Sequence, residues 1–549
     1  MRNYALGLDF GSLSGRAVLL DMENGEMAGE EVMDYPHGVL KGPPGAEPPD
    51  GEWVLQCPED YRKVLYHIVP ELLKKTGILG EQVAGIGVGF TASTVVPLKE
   101  FRPLNEDPRF ALRPHAWTKM WKHHGAYRQA RHLTELCRKH NLPYPDWYGG
   151  RISSECLMAK VLQVFEEDRE VYEETDCFME AADYITSLLV GKPVFGASLG
   201  AAKALWSKET GYPESSLFAA WSPELKNLPE KLMEHFPGQK PVLPGTKAGG
   251  LCKAMAERLG LKEGTSVSAP QMDAYNAVPG LGITEPGTML LMVGTSTAVL
   301  FLDHKGICPM EGVTAALVDT CYEGMWTYAT GQASVGDCFQ WFIENCVPES
   351  YLRRTKEKNE NLHTCLTELA SRLRPGQTGL LALDWWGGSK SSPDILLSGM
   401  LLGLTMNTKP EHIYRALLES TAFGVRAIAE SFACQNVITD RVVACGGIAV
   451  KNPFLMQMYA DVLGRPIEVS TCTQAAAQGA AIYGAAAAEE GDAKKAAKRM
   501  GAKDMKIYVP DKERSQIYEK LYQEYKTLSE YFGKGGNKVM ERLKVLTQS

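Results

Sequence analysis

The chain has 549 residues, 44% of them hydrophobic and 23% charged, which is more than one hydrophobic core organises and predicts two or more domains. A formal net charge of −8 leaves no basic excess for tracking along nucleic acid, although local groups still suffice to bind a small phosphorylated ligand. Thirteen cysteines without a C-x-x-C pair argue against a disulfide framework and a structural zinc, and no secretory or membrane-spanning apolar run occurs, so a cytoplasmic protein with no membrane partner is expected.

The first element is "LGLDFGSLSGRAVLLD", residues 6–21, two apolar runs around a tight turn carrying Asp9, Gly11, Ser12 and Ser14. The alternation predicts a hairpin, in which Asp9 and Ser12 serve either the turn backbone or a ligand. "QVAGIGVGFTASTVVPL", residues 82–98, reads as a buried strand ending in a small, polar turn. A helical, loop-rich stretch follows, and then "GLKEGTSVSAPQMDAYNAVPGLGITEPG", rich in Gly and Pro around Asp273. That composition predicts a boundary near Gly282, with domains at 1–282 and 283–549.

A second strand, turn and strand follows at "GTMLLMVGTSTAVLFLD", residues 287–303, on the plan of residues 6–21, and suggests two halves built alike. "TKPEHIYRALLESTAFGVRAIAESF" carries Ile413, Leu417, Val425, Ile428 and Phe432 at helical spacing, with Thr408 and Pro410 placed for its start. "RVVACGGIAVKNPFLMQMYADVLG" reads as a strand, a Gly-Gly turn and a helix capped by Asn452 with Pro453 at its first position. Ile517, Leu521, Tyr525, Leu528 and Phe532 form one stripe of a last amphipathic helix, expected to pack in the core. The short lysine run "KKAAKRM", residues 494–500, reads as a solvated helix face.

Turns of Gly-Ser and Gly-Thr-Ser expose backbone N–H groups, and a strand leading through Gly-Gly into a helix adds a partly positive terminus, so a phosphate clamp needs no basic motif here. The chain has no G-x-x-x-x-G-K-[ST] and no G-x-G-x-x-G, which excludes a P-loop enzyme and a dinucleotide fingerprint.

These segments, "LGLDFGSLSGRA", "GTSTAVL", "SGMLLGLTMNTKPEHIYRALLESTAFGVRAI" and "ACGGIAVKNPFLMQMYADVLGRPI", resemble the FGGY carbohydrate kinases essentially end to end. "WVLQCPEDY", "WKHH", "YGGRISSE", "LLALDWWGG" and "LYQEYKTLSEYFG" are similar to stretches of the bacterial ribulokinases within that family. The resemblance implies an α/β fold of two actin-like domains, of the sugar-kinase, heat-shock-chaperone ATPase and ribonuclease H-like type, with a cleft between them. It implies ATP and Mg²⁺ as cofactors, a small sugar as substrate, a place in arabinose catabolism, and room for a homodimer. By the same resemblance Asp9 holds the metal through water, while Gly11, Ser12, Gly294, Thr295 and Ser296 cradle the β- and γ-phosphates and Gly446, Gly447 and Asn452 border the adenosine. Asp273 matches the catalytic aspartate that orients the acceptor hydroxyl and takes its proton. Lys203, in "AAKALW", and Ala92, in "FTAST", match sugar-side residues.

The sugar side also departs from the ribulokinase pattern. Gly89 in "GVGFTAST" and Ala329 in "YATGQASVGD" replace acids, and Cys156, Tyr275 and Ala202 replace residues that are usually aromatic or histidine. Loss of a carboxylate that binds a sugar hydroxyl changes which sugars fit. The resulting expectation is an ATP-dependent kinase acting on the terminal hydroxyl of a ketopentose, L-ribulose first. The alternatives are a related kinase for another ketose or a polyol, and a non-catalytic actin-like nucleotide-binding protein.

Overall fold

The structure, a computed structural model, describes residues 2–390, 396–489 and 491–546. The chain forms two compact units. The first comprises Met1–Thr284, Leu317–Thr327 and Gln474–Lys503, and the second Glu285–Ala316, Tyr328–Thr473 and Asp504–Ser549.

In the first unit, β1 (Tyr4–Phe10) and β2 (Ser14–Asp21) form the expected hairpin, and β3 (Met27–Asp34) continues it antiparallel. On its other side β1 pairs in parallel with β4 (Val83–Phe90), the strand rich in alternating glycine. β5 (Lys247–Gly250), β6 (Ser266–Ser268) and β7 (Gln271–Met272) complete the sheet, in the order β5-β6-β4-β1-β2-β3, with β7 also on β4.

The glycines of β1 and β4 have a packing purpose. A Cβ on Gly7 would lie 1.9 Å from the Ala477 carbonyl oxygen, one on Gly87 1.8 Å from that of Ala480, and one on Gly85 2.0 Å from that of Gly484. The alanine-rich helix Ala475–Ala488 therefore rests backbone to backbone on the sheet, closer than any side chain permits. The Asp273–Gly280 helix meets it in the same way, since a Cβ on Gly280 would lie 2.0 Å from the Ala475 carbonyl oxygen.

This contact bears on how the chain passes between the units near the expected boundary at Gly282. The first crossing falls between Thr284 and Glu285, and residues 474–503 return to the first unit, where the small side chains of their first helix pack on its glycine-lined face. The short stretch Leu317–Thr327 also belongs with it. Gln271 Nε2 donates to the Thr320 carbonyl (2.6 Å), and Tyr483 Oη donates to that of Cys321 (2.8 Å).

The second unit repeats the pairing logic of the first. β8 (Thr288–Val293) and β9 (Thr297–Asp303) form an antiparallel hairpin, and β8 pairs in parallel with a later strand, here β11 (Arg441–Cys445). From β10 (Trp326–Gln332) the order is β10-β9-β8-β11-β12-β13, where β12 is Ile467–Ser470 and β13 is Met505–Tyr508. The long helix Pro410–Cys434 buries Leu417, Val425, Ile428 and Phe432 as its spacing predicts.

Of the stripe expected on the last long helix, Lys512–Gly533, only Tyr525 is fully buried, while Leu521, Leu528 and Phe532 are half-buried. Ile517 is 38% exposed, and Tyr518 and Tyr522 join Tyr525 in facing inward. The tyrosines are preferred because their hydroxyls satisfy buried charges: Arg415 Nη2 donates to Tyr518 Oη (2.9 Å), and Tyr525 Oη donates to Asp384 Oδ1 (2.6 Å). In the first unit, "KKAAKRM" lies on the helix Ala493–Met500, which buries Ala496, Ala497 and Met500 and turns Lys495 and Lys498 outward. No helix among the described residues is long and apolar enough to cross a membrane.

Gly87→Ala should be strongly destabilising, by roughly 3 kcal/mol, because the clash is with the backbone oxygen of Ala480 and no side chain can move to relieve it. The urea midpoint followed by far-ultraviolet circular dichroism measures this, and an unchanged midpoint would contradict the close approach.

Candidate active site

The sheet of the first unit aligns four residues across neighbouring strands. Asp9 on β1 stands opposite Arg16 on β2, Gly89 on β4 stands beside Asp9, and Gln271 on β7 stands beside Gly89. Two residues beyond Gln271, Asp273 opens the Asp273–Gly280 helix. Register alone thus brings Asp9, from the first hairpin, and Asp273, from the Gly-Pro-rich segment, to the same end of the sheet.

Asp9 is buried. Its Oδ2 lies 3.5 Å from Arg16 Nε, while its Oδ1 has no hydrogen-bond partner. Burial raises its pKa above the usual carboxylate range, and Arg16 opposes that shift. Arg16 is held by Gln474 Oε1 (3.3 Å) and Ser14 Oγ (3.4 Å). Asp273 accepts the Ala274 backbone N–H at 2.7 Å, and its carboxyl is pushed up to about 7, first by burial and then by the charge of Asp9. An unpaired carboxylate oxygen at Asp9 fits a hydrated divalent cation, which takes one or two carboxylates and keeps several waters. The carboxyl of Asp273, poised near neutrality, fits a proton acceptor.

The remaining expected residues of the first unit fall in two turns and at one helix end. Gly11 N–H closes the hairpin turn on the Ser14 carbonyl (2.9 Å), and Ser12 Oγ accepts the indole N–H of Trp121 at 3.1 Å. Ala92 sits in the turn after β4, where Thr91 and Thr94 share a hydroxyl hydrogen bond of 2.9 Å. The neighbouring Ser93 has φ +59°, and the buried Lys160 fixes it by donating to its carbonyl and to that of Met120 (3.0 Å). Lys203 ends the helix Ala197–Lys203 and pairs with Glu155 at 3.1 Å. Burial works against its charge, but Glu155 and neighbouring groups more than offset it and raise its pKa. Cys156, Ala202 and Tyr275 are buried.

In the second unit, Gly294, Thr295 and Ser296 form the turn between β8 and β9, closed by the Gly294 N–H on the Ser296 carbonyl (2.9 Å). The Val335 N–H donates to the Thr295 carbonyl (2.7 Å) and that of Gly336 to the Gly294 carbonyl (3.1 Å), so the start of the helix Gly336–Cys346 packs on this turn. Gly446 requires its missing side chain: its φ is +101°, and a Cβ would lie 2.5 Å from the Val293 carbonyl oxygen. Gly447 opens the short helix Gly447–Lys451. Asn452 caps the next helix by accepting the Leu455 N–H (3.0 Å), with Pro453 at its first position. Ala329 is half-buried on β10, and its carbonyl accepts the Thr314 N–H at 2.7 Å.

Three residues of these surroundings escape a reading by motif. Arg16 was recoverable from hairpin register, because a turn over residues 11–13 places it opposite Asp9. Asn276 was not, since only the depth of its helix against β4 brings it to Gly89. Gly336 likewise depends on a contact distant in sequence, with a Cβ there lying 2.9 Å from the Gly294 carbonyl oxygen.

Two family descriptions match: the N-terminal domain of the FGGY family of carbohydrate kinases over residues 4–280, and its C-terminal domain over 289–488. The chain belongs to the FGGY family. Among curated relatives of this FGGY chain, a ribulokinase of Halalkalibacterium halodurans is 43% identical over 99% of the chain and 97% of its own length. A ribulokinase of Mycolicibacterium smegmatis is 38% identical over 99% and 96%. The fold matches that of solved sugar kinases, including a xylulose kinase from Rhodospirillum rubrum (TM-score 0.78, 20% identity, 96% of this chain and 98% of that one). A gluconate kinase from Lactobacillus acidophilus matches with TM-score 0.79 at 17% identity, over 97% of this chain and 99% of that one. The chain is thus a two-domain α/β protein of the actin-like ATPase fold, and the family uses ATP and a divalent metal.

The raised pKa of Asp273 sets a direction for pH dependence. If its carboxylate accepts the acceptor proton, kcat/KM falls tenfold per pH unit below a limb that burial holds above the ordinary carboxylate range, because the protonated form is inactive. A profile recorded between pH 5 and 9 with saturating cation tests this, and constant activity down to pH 5 would remove Asp273 from the role.

Proposed function

We propose that this chain is an ATP-dependent kinase that phosphorylates the terminal hydroxyl of a ketopentose, L-ribulose, giving L-ribulose 5-phosphate and ADP. The observation that carries the chemistry is the pair in the first unit: a buried Asp9 with one unpartnered oxygen, and an Asp273 carboxyl near neutrality. The choice of sugar rests on the full-length relatives described as ribulokinases, and it agrees with a place in arabinose breakdown.

In this reading Asp273 accepts the proton of the sugar hydroxyl as its oxygen bonds the γ-phosphorus, and the bond from that phosphorus to the β–γ bridging oxygen breaks to release ADP. Positioning supplies most of the rate enhancement, so the base need only be near and correctly ionised. Asp9 serves Mg²⁺, which when bound to the nucleotide neutralises phosphate charge. Gly11 and Ser12 of the first unit and Gly294, Thr295 and Ser296 of the second offer turn N–H groups and hydroxyls for the β- and γ-phosphates. Gly446, Gly447 and Asn452 border the adenosine, and the bare backbone at Gly447, where a Cβ would meet nothing within 4 Å, leaves room for it.

Lys203 and Ala92 lie on the sugar side. Lys203 is already paired with Glu155, so a sugar hydroxyl would join an ion pair already formed rather than a free ammonium. Gly89 and Ala329, where ribulokinases usually carry acids, are the reason to keep a second acceptor, another ketose or a polyol, in view.

Asp273→Asn should lower sugar-dependent ADP release by at least about a thousandfold while the nucleotide still binds. Persistent sugar-dependent turnover in that variant would overturn the assignment of the base. A coupled assay over L-ribulose, other ketoses and alditols then fixes the acceptor. Turnover of another sugar with L-ribulose inert would retain the kinase and remove the ribulokinase reading, and nucleotide binding without turnover of any sugar would favour a non-catalytic protein.

A further inference from the structure

Three buried polar atoms without hydrogen-bond partners occur on Asp9 and Asn276: Asp9 Oδ1, Asn276 Nδ2 and Asn276 Oδ1. Asn276 is 0% exposed and Asp9 4%. A Cβ placed on Gly89 would lie 2.2 Å from Asn276 Nδ2 and 3.3 Å from Asp9 Oδ1. The carboxamide therefore fills the space where a side chain at position 89 would begin, and it stands within two hydrogen-bond lengths of the Asp9 carboxylate without bonding it. At position 89 the ribulokinase pattern leads one to expect an acid, and here the polar group enters from the neighbouring helix instead.

Packing does not account for this arrangement. A fully buried carboxamide with both ends unsatisfied is destabilising, and an apolar side chain of similar size would fill the space without that cost. Nor can the helix withdraw, because a Cβ on Gly479 would already lie 1.6 Å from the Asn276 carbonyl oxygen. Atoms at this spacing are suited to share one water, which needs two or more polar partners in a buried site.

We propose that Asn276 is a positioning residue that, across from Gly89, holds a water against Asp9 Oδ1 and so orders the hydration of the divalent cation served by Asp9. The carboxamide suits either state of that water. Its Nδ2 donates when the water gives a proton to Asp9, and its Oδ1 accepts when a cation occupies the water's lone pair. Outer partners of this kind set cation affinity without touching the ion. The inference rests on the kinase reading of Asp9.

The test is Mn²⁺ binding to the full chain, followed by electron paramagnetic resonance with a non-hydrolysable ATP analogue present, alongside thermal melting. Wild-type protein should show a Mn²⁺ site that Asp9→Asn removes, and absence of such a site would overturn both this inference and the kinase reading of Asp9. Asn276→Ala should weaken Mn²⁺ binding about tenfold. Adding Gly89→Asp to Asn276→Ala should restore it to within about threefold of wild type, because the carboxylate then enters the emptied space. Gly89→Asp alone should not improve binding, since it collides with the carboxamide. If Asn276→Ala binds Mn²⁺ as wild type does, or the double variant is no better than Asn276→Ala, the pairing is wrong even though Asp9→Asn abolishes the site. Should the alanine variant fail to fold, the equally sized Asn276→Asp serves: at least threefold tighter Mn²⁺ binding supports the proposal, and unchanged binding overturns it.

Discussion

The backbone contact between the helix Ala475–Ala488 and the strands β1 and β4 is the constraint on which the first unit depends. Gly7, Gly85 and Gly87 leave no side chain on the contacted face, and the helix answers with Ala477, Ala480 and Gly484. Such an approach removes the usual side-chain layer between helix and sheet, so any added methyl is felt directly by a backbone. The Asp273–Gly280 helix is pinned against the same alanine-rich helix through Gly280 and Gly479. The position of Asp273 relative to Asp9 is thereby set by packing distant in sequence, not by the loop that precedes it.

That rigidity explains how two carboxyl groups are kept where their charges are costly. Burial raises both, and the charge of Asp9 raises Asp273 further. The cross-strand partner Arg16 lowers both and is steadied by Gln474, which belongs to the returning segment. The segment from 474 to 503 therefore supplies the close packing and also the electrostatic support of the first hairpin. A buried carboxylate left with an unpaired oxygen is retained in a folded chain when function uses it, as a hydrated cation would.

Much of this was legible in the sequence where local rules dominate. The hairpins followed from alternation around Gly-Ser and Gly-Thr-Ser, the helix after Asn452 from its cap and Pro453, and the similarity of the two halves from their parallel plan. The boundary was legible only at its first crossing, because the return of residues 474–503 is decided by glycines hundreds of residues earlier. The final helix misled for a related reason. A hydrophobicity stripe favours Ile517 and Leu521, but the buried Arg415 and Asp384 demand hydroxyls, so the tyrosines turn inward. Asn276 carried no signal of its own, since its meaning depends on the side chain that Gly89 lacks.

The turn bearing Ala92, which the proposed function assigns to the sugar, is built on a different balance. Burial lowers the pKa of Lys160, and its ammonium donates to backbone carbonyls that fix the turn bearing Ala92. Glu180, its carboxyl raised above the ordinary range by burial against the pull of Lys160, accepts from the backbone of the same turn. One cation and one acid thus hold the left-handed conformation of Ser93 from opposite backbone polarities, which a turn of four small residues could not sustain unaided. Lys203 is tied to Glu155 nearby in the chain's chemistry rather than left free. A turn held in this way presents shape and backbone more than exposed charge, so under the proposed function an acceptor would be selected by how well it fills the space beside that turn.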